Sequence, residues 1–144
     1  MVLAILLCFV LLVATVIFHY EGLRVLWWYA KSSHGRPRNQ QLLIIFGIMA
    51  LHTVEAGVYG FAYWLGDVPL NIGDFVGHEV GVRDYLYFSA ETYTTLGFGD
   101  IYPVGDLRLI ASAEALNGLL MLGWSASFIY LALERYWERE RTKN

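Results

Sequence analysis

Apolar positions along this chain gather into three long blocks separated by polar segments. Residues 1–18 hold no ionisable side chain except Cys8, residues 42–65 hold only His52 and Glu55 besides tyrosines, and residues 109–133 hold only Glu114 and Tyr130. At ~1.5 Å rise per residue, helices of such lengths cross a hydrocarbon core of ~30 Å. The pattern predicts spanning helices over 1–20, 42–65 and about 107–133. Residues 21–41 read as a linker and 134–144 as a tail. Gly, Asp, Asn and Pro at 66–74 read as a surface loop. After them, about 83–94 has helix-compatible composition but is too short to span. A short helix, an irregular return at 95–100 and a full helix going back make a re-entrant loop. Non-helical backbone at membrane depth is tolerated only where it lines a water- or ion-filled path or is buried in protein.

Composition narrows the class. Of 144 residues, 57% are hydrophobic and 16% charged, which excludes a disordered chain, a secreted disulfide scaffold and an ordinary cytosolic enzyme. A single cysteine forms no intrachain disulfide, and a net charge of −3 without like-charge runs gives no reason to expect nucleic acid as a partner. Charge placement sets an orientation. Arg24, Lys31, Arg36 and Arg38 follow the first block, and Arg135, Arg139, Arg141 and Lys143 follow the third; only Arg83 and Arg108 lie elsewhere. The positive-inside rule then places 20–41 and the tail in the cytoplasm, and the N-terminus and 66–106 outside, where Asp67, Asp74, Glu79 and Asp84 also fall. The first block lacks a basic leader and a small-x-small cleavage site, so a retained, N-outside helix is expected rather than a signal peptide. Trp27, Trp28 and Tyr29 suit a membrane interface, ahead of a breaker segment at 32–37.

The chemistry concentrates at 92–100. A dehydrated cation needs its lost water oxygens replaced, and successive backbone carbonyls facing one axis supply them. Gly97 and Gly99 reach the φ > 0 conformations such a strand needs, Thr95 adds a hydroxyl, and Leu96 and Phe98 are expected to point away and pack on the supporting helix. One chain offers one strand, so a ring needs several subunits. The run Thr92-Tyr93-Thr94-Thr95-Leu96-Gly97-Phe98-Gly99-Asp100 resembles the selectivity signature of the potassium channel family, commonly written TxTTVGYGD. Leu96 stands for the usual Val and Phe98 for the usual Tyr. The likeness extends over about 42–133 in the order outer helix (42–65), pore helix (about 83–94), filter (95–100) and inner helix (about 107–133). It is nearest to minimal bacterial channels, with an added N-terminal helix read as a packing and topology anchor because it lacks polar groups.

The resemblance implies an all-α integral membrane protein with three spanning helices per subunit plus a re-entrant pore helix and filter loop. It further implies a homotetramer in membrane lipid, a bacterial inner membrane as its setting, and passive K+ conduction without enzymatic chemistry or a cofactor. Thr95, Leu96, Gly97 and Phe98 would ligate K+, with Gly99 completing the filter. Gly118 falls where the family often bends its inner helix, although close packing would also explain it, and Leu119, Leu122 and Ala126 would line the cavity. Glu91 and Asp100 are expected to meet behind the filter and share a proton, with Tyr87 donating to Asp100, as the family's prokaryotic proton-gated members suggest. Neither a voltage sensor nor a cytoplasmic ligand-binding domain is expected. Intramembrane His52, Glu55 and Glu114 need an account: an inter-helix clasp, a proton sensor and a metal site are the alternatives. The rival readings of the whole are a weakly selective cation channel and a non-conducting metal-binding or structural membrane protein.

Overall fold

A computed structural model describes residues 1–32, 37–77 and 80–141, with the side chains of 32, 37 and 135–141 outside the description. Its elements are α1 (Val2–Ser32), α2 (Pro37–Asp67), β1 (Gly73–Val76), α3 (Val82–Tyr93), β2 (Tyr102–Gly105) and α4 (Leu107–Arg141). Three helices are long and apolar enough to cross a membrane, over Val2–Lys31, Arg38–Asp67 and Leu107–Glu134. The protein is therefore mostly helical and a multi-pass membrane protein.

All three long helices outrun their predicted limits. α1 continues twelve residues past 20, so Trp27, Trp28 and Tyr29 belong to the helix rather than to a linker. α2 opens at Pro37, a residue suited to a first helical position. α4 runs on to Arg141. Polar residues flanking each apolar block are good helix formers, so the helices end where backbone geometry changes rather than where hydropathy does. Of the breaker segment, residues 33–36 lie outside the described residues, as do Glu79 and residues 142–144.

Small residues let the spans approach closely, as is usual for helices packing in lipid. A Cβ on Gly22 would fall 2.4 Å from Leu51, and one on Gly47 would fall 2.2 Å from Leu26, so each glycine of the α1–α2 contact receives a leucine from the other helix. The main core lies nearer the loop end. There Tyr63, Phe75, Tyr85 and Phe88 meet edge to face with ring centroids 5.0–5.7 Å apart. Tyr59, Ile101, Leu107 and Ile110 belong to that core, and Leu11 of α1 joins it.

Hydropathy gave no hint of the β1–β2 pair. It is antiparallel, with Gly73 opposite Gly105 and Val76 opposite Tyr102. The two short strands bracket α3 and the 95–100 segment, tying the chain before them to the chain after. Asp84 holds the start of α3 by accepting the Gly81 N–H at 2.7 Å.

Candidate functional site

α3 ends at Tyr93, with Thr94 as its cap. Beyond it, Thr95, Gly97 and Gly99 take φ of +59°, +57° and +78°, and the residues between them stay at negative φ. The two glycines behave as expected. Thr95 was not foreseen in this role: a β-branched residue in left-handed conformation is strained and persists only where its surroundings enforce it.

The enforcing residue is Glu91. Its carbonyl oxygen accepts the N–H of Leu96 at 2.8 Å and of Gly97 at 3.3 Å, and its carboxylate accepts the N–H of Phe98 at 3.0 Å. Three consecutive N–H groups therefore face α3. In a trans peptide the carbonyl of one residue points opposite to the N–H of the next. The carbonyls of Thr95, Leu96 and Gly97 are thus turned together away from α3. A row of oxygens on one side of a strand suits a cation that has lost water.

Within the single chain Leu96 and Phe98 are 61% and 65% exposed, and the Phe98 ring lies parallel to that of Tyr87 on α3 with centroids 6.4 Å apart. Glu91 and Asp100 both bear on the Tyr87 phenol. The Glu91 carboxylate is engaged by a backbone donor, and Asp100 receives the Tyr87 hydroxyl at 3.3 Å. Partial desolvation, followed by the Asp100 and Glu91 carboxylates, pushes the Tyr87 phenol up, so it stays a donor. Tyr85, which donates to Asp67 at 2.6 Å, is raised by burial and then by that bond.

Gly118 lies against the end of α3. A Cβ there would sit 2.1 Å from the Tyr93 carbonyl oxygen, whereas Gly123 has nothing within 4 Å. Close approach accounts for Gly118 without a bend. Leu119 is exposed, Leu122 is half-buried and Ala126 is exposed on α4.

The three intramembrane ionisable residues separate into two sites. Glu114 is fully buried and takes hydroxyls from Tyr63 and, at 2.5 Å, from Ser89, a clasp joining α2, α3 and α4. Glu55 belongs elsewhere: it accepts Tyr93 Oη, pairs with His19 Nδ1 at 2.8 Å and lies 3.5 Å from His52 Nδ1. His52 Nδ1 also reaches Tyr93 Oη at 2.9 Å. His19 is completely buried and meets Ser125 at 3.0 Å through Nε2. One turn earlier, Thr15 accepts Asn117 at 2.9 Å.

α1 is therefore not a featureless anchor. Reading the first helix as ending at 20 put His19 at the membrane edge. In a helix running to Ser32 it lies near the middle, and that longer helix is the signal that would have found it.

A family profile described as an ion channel matches residues 42–135. The inward rectifier potassium channel Kirbac3.1 of Paramagnetospirillum magnetotacticum is 35% identical over 118 residues, covering 79% of this chain and 38% of that protein. Protein LctB of Geobacillus stearothermophilus is 50% identical over 40 residues, covering 28% of this chain and 30% of that one. Two-pore potassium channel 1 of Arabidopsis thaliana is 43% identical over 49 residues, covering 33% of this chain and 14% of that one. In each case this chain covers well under half of the relative. No solved structure matches the chain significantly.

Proposed function

This chain belongs to the ion channel family, with potassium-channel pore domains among its relatives, and on that premise we propose that it is a potassium-selective channel. Four copies surround one axis in the membrane, each contributing one 95–99 strand. α3 enters part-way as a pore helix and the strand returns, making the re-entrant loop. K+ is the permeant ion. It sheds water and is held in turn by the carbonyls of Thr95, Leu96, Gly97 and Phe98, with Gly99 turning the strand outward and Asp100 at the mouth. Leu119, Leu122 and Ala126 line the approach from the cytoplasm. The tail and the α1–α2 connection face the cytoplasm and the 66–106 region faces outside. A bacterial inner membrane is the setting this reading assigns.

The observation that supports the reading most is the turning of three consecutive N–H groups onto Glu91, which leaves the carbonyls free on the opposite side. Replacing hydration oxygens by backbone oxygens is how selectivity filters of this kind work. The exposed Leu96 and Phe98 supply a reason for assembly, since a neighbouring subunit would cover what the chain itself leaves bare.

The test is purified protein in liposomes loaded with K+, with barium as the blocking control and the mass of the assembly measured in parallel. The reading expects barium-sensitive K+ efflux from a particle of four chains. Equal fluxes of K+ and Na+ would identify a weakly selective cation channel instead, and no flux from an intact assembly would favour a non-conducting protein.

A further inference from the structure

Glu55 is fully buried inside a membrane-spanning helix. A carboxylate there needs a positive partner, because an isolated charge taken out of water is very costly. Among the described residues its ion-pair partners are two histidines, not a lysine or arginine. Each histidine turns its Nδ1 atom toward the same carboxylate, and one ligand atom from each of His19, His52 and Glu55 lies within 4.8 Å of the others. The Tyr93 hydroxyl closes a fourth side, in hydrogen-bond contact with both Glu55 and His52.

Two imidazole nitrogens, a carboxylate and one further oxygen form a donor set that suits zinc. An ion with bonds of about 2.0–2.1 Å would hold tetrahedral ligands roughly 3.3 Å apart; His19 Nδ1 lies 2.8 Å from Oε1 of Glu55 and His52 Nδ1 lies 3.5 Å from its Oε2, so the carboxylate presents one oxygen to each histidine at near that spacing. The surroundings fit as well. His19 presents Nε2 to Ser125, the outer hydrogen bond that fixes ring orientation in ligating histidines. A cavity of about 330 Å³ opens on His52 and Tyr93.

We propose that His19, His52, Glu55 and Tyr93 form a binding site for a divalent transition-metal ion of the zinc class. The site joins α1, α2 and the end of α3 within one chain. Its ion ties the added N-terminal helix to a residue only two positions before Thr95, and so to the base of the carbonyl strand. The site is independent of whether the channel prefers K+.

Equilibrium dialysis of the purified assembly against Zn2+ tests this, alongside Co2+ substitution read by visible absorption. The parent should retain about one Zn2+ per chain and give the intense spectrum of four-coordinate Co2+. His19→Gln and Glu55→Gln should each weaken binding at least about tenfold. The His19 ring lies 5.5 Å from Trp124, so bound Cu2+ should quench fluorescence in the parent and much less in Trp124→Phe. If His19→Gln fails to assemble, His52→Gln at the partly exposed ligand serves in its place. Unchanged binding in an assembled ligand variant, or no retained metal in the parent, would overturn the proposal and leave the four residues as a polar clasp.

Discussion

The 95–99 strand and the cluster around Glu55 stand close together and are built on opposite principles. The strand works through backbone, is contiguous in sequence, and leaves two large side chains exposed. The cluster works through side chains, draws on α1, α2 and α3, and is buried except for part of His52. In the proposed channel the contiguous chemistry is completed by other copies of the chain. Dispersed chemistry is finished within one chain and calls for none. Tyr93 belongs to the cluster through its hydroxyl on Glu55 and His52, precedes the strand by two residues, and sets its carbonyl against Gly118 of α4.

The most forceful way to separate the two is Gly97→Ala. Space is not the obstacle, since a Cβ there meets nothing within 4 Å; the backbone is, at φ +57°. Left-handed conformation costs a side-chain-bearing residue roughly 1–2 kcal/mol, or roughly 4–8 kcal/mol over four copies. K+ flux should fall at least about 100-fold, while thermal unfolding of the rest of the chain and metal retention stay near the parent's. Retained K+-selective flux would break the distinction by showing that the strand's backbone is not the conducting element.

Glu91→Ala should come next. It leaves the Phe98 N–H without its acceptor, at about 1–3 kcal/mol per chain, and currents should inactivate faster with K+ preference kept. Glu91→Gln, which retains an acceptor oxygen, should lie nearer the parent. Identical inactivation in all three proteins would remove Glu91 as the strand's support.

A similar energy is at stake in Gly118→Ala, but at the packing seam between the regions. Overpacking against the Tyr93 carbonyl should destabilise each chain by about 1–3 kcal/mol, lowering the melting temperature of the assembly. Gly123→Ala, with open space around it, should instead be neutral or stabilising by up to about 1 kcal/mol on helix propensity. If both variants melt like the parent and only Gly118→Ala reduces open probability, the glycine serves bending rather than packing. The smallest effect belongs to Tyr87→Phe. Its bond to Asp100 is long and exposed, so stability should change by less than about 0.5 kcal/mol, with at most a modest change in inactivation.

The same contrast explains what could be read from sequence. The three spans, the short helix and the glycine-bearing strand each rest on neighbouring residues, so hydropathy and spacing were enough to find them. Gly97 and Gly99 follow from what a missing Cβ permits, whereas the positive φ of Thr95 depends on Glu91 gathering the next three N–H groups, a tertiary arrangement. The β1–β2 pair joins segments nearly thirty residues apart, and four-residue strands leave no periodicity to detect. His52 and Glu55 share a helical face and were legible as a pair. Glu114 was grouped with them by depth alone and turned out to answer to Tyr63 and Ser89, and His19 was missed because hydropathy ended its helix too early.

The proposed K+-selective path along the carbonyl strand can be tested by a reversal-potential measurement on the purified protein in a planar bilayer, with K+ on one side and Na+ on the other. The reversal potential should be displaced far from zero in the direction of K+ preference, and the current should be lost in Gly97→Ala. A robust current that reverses near zero would contradict it.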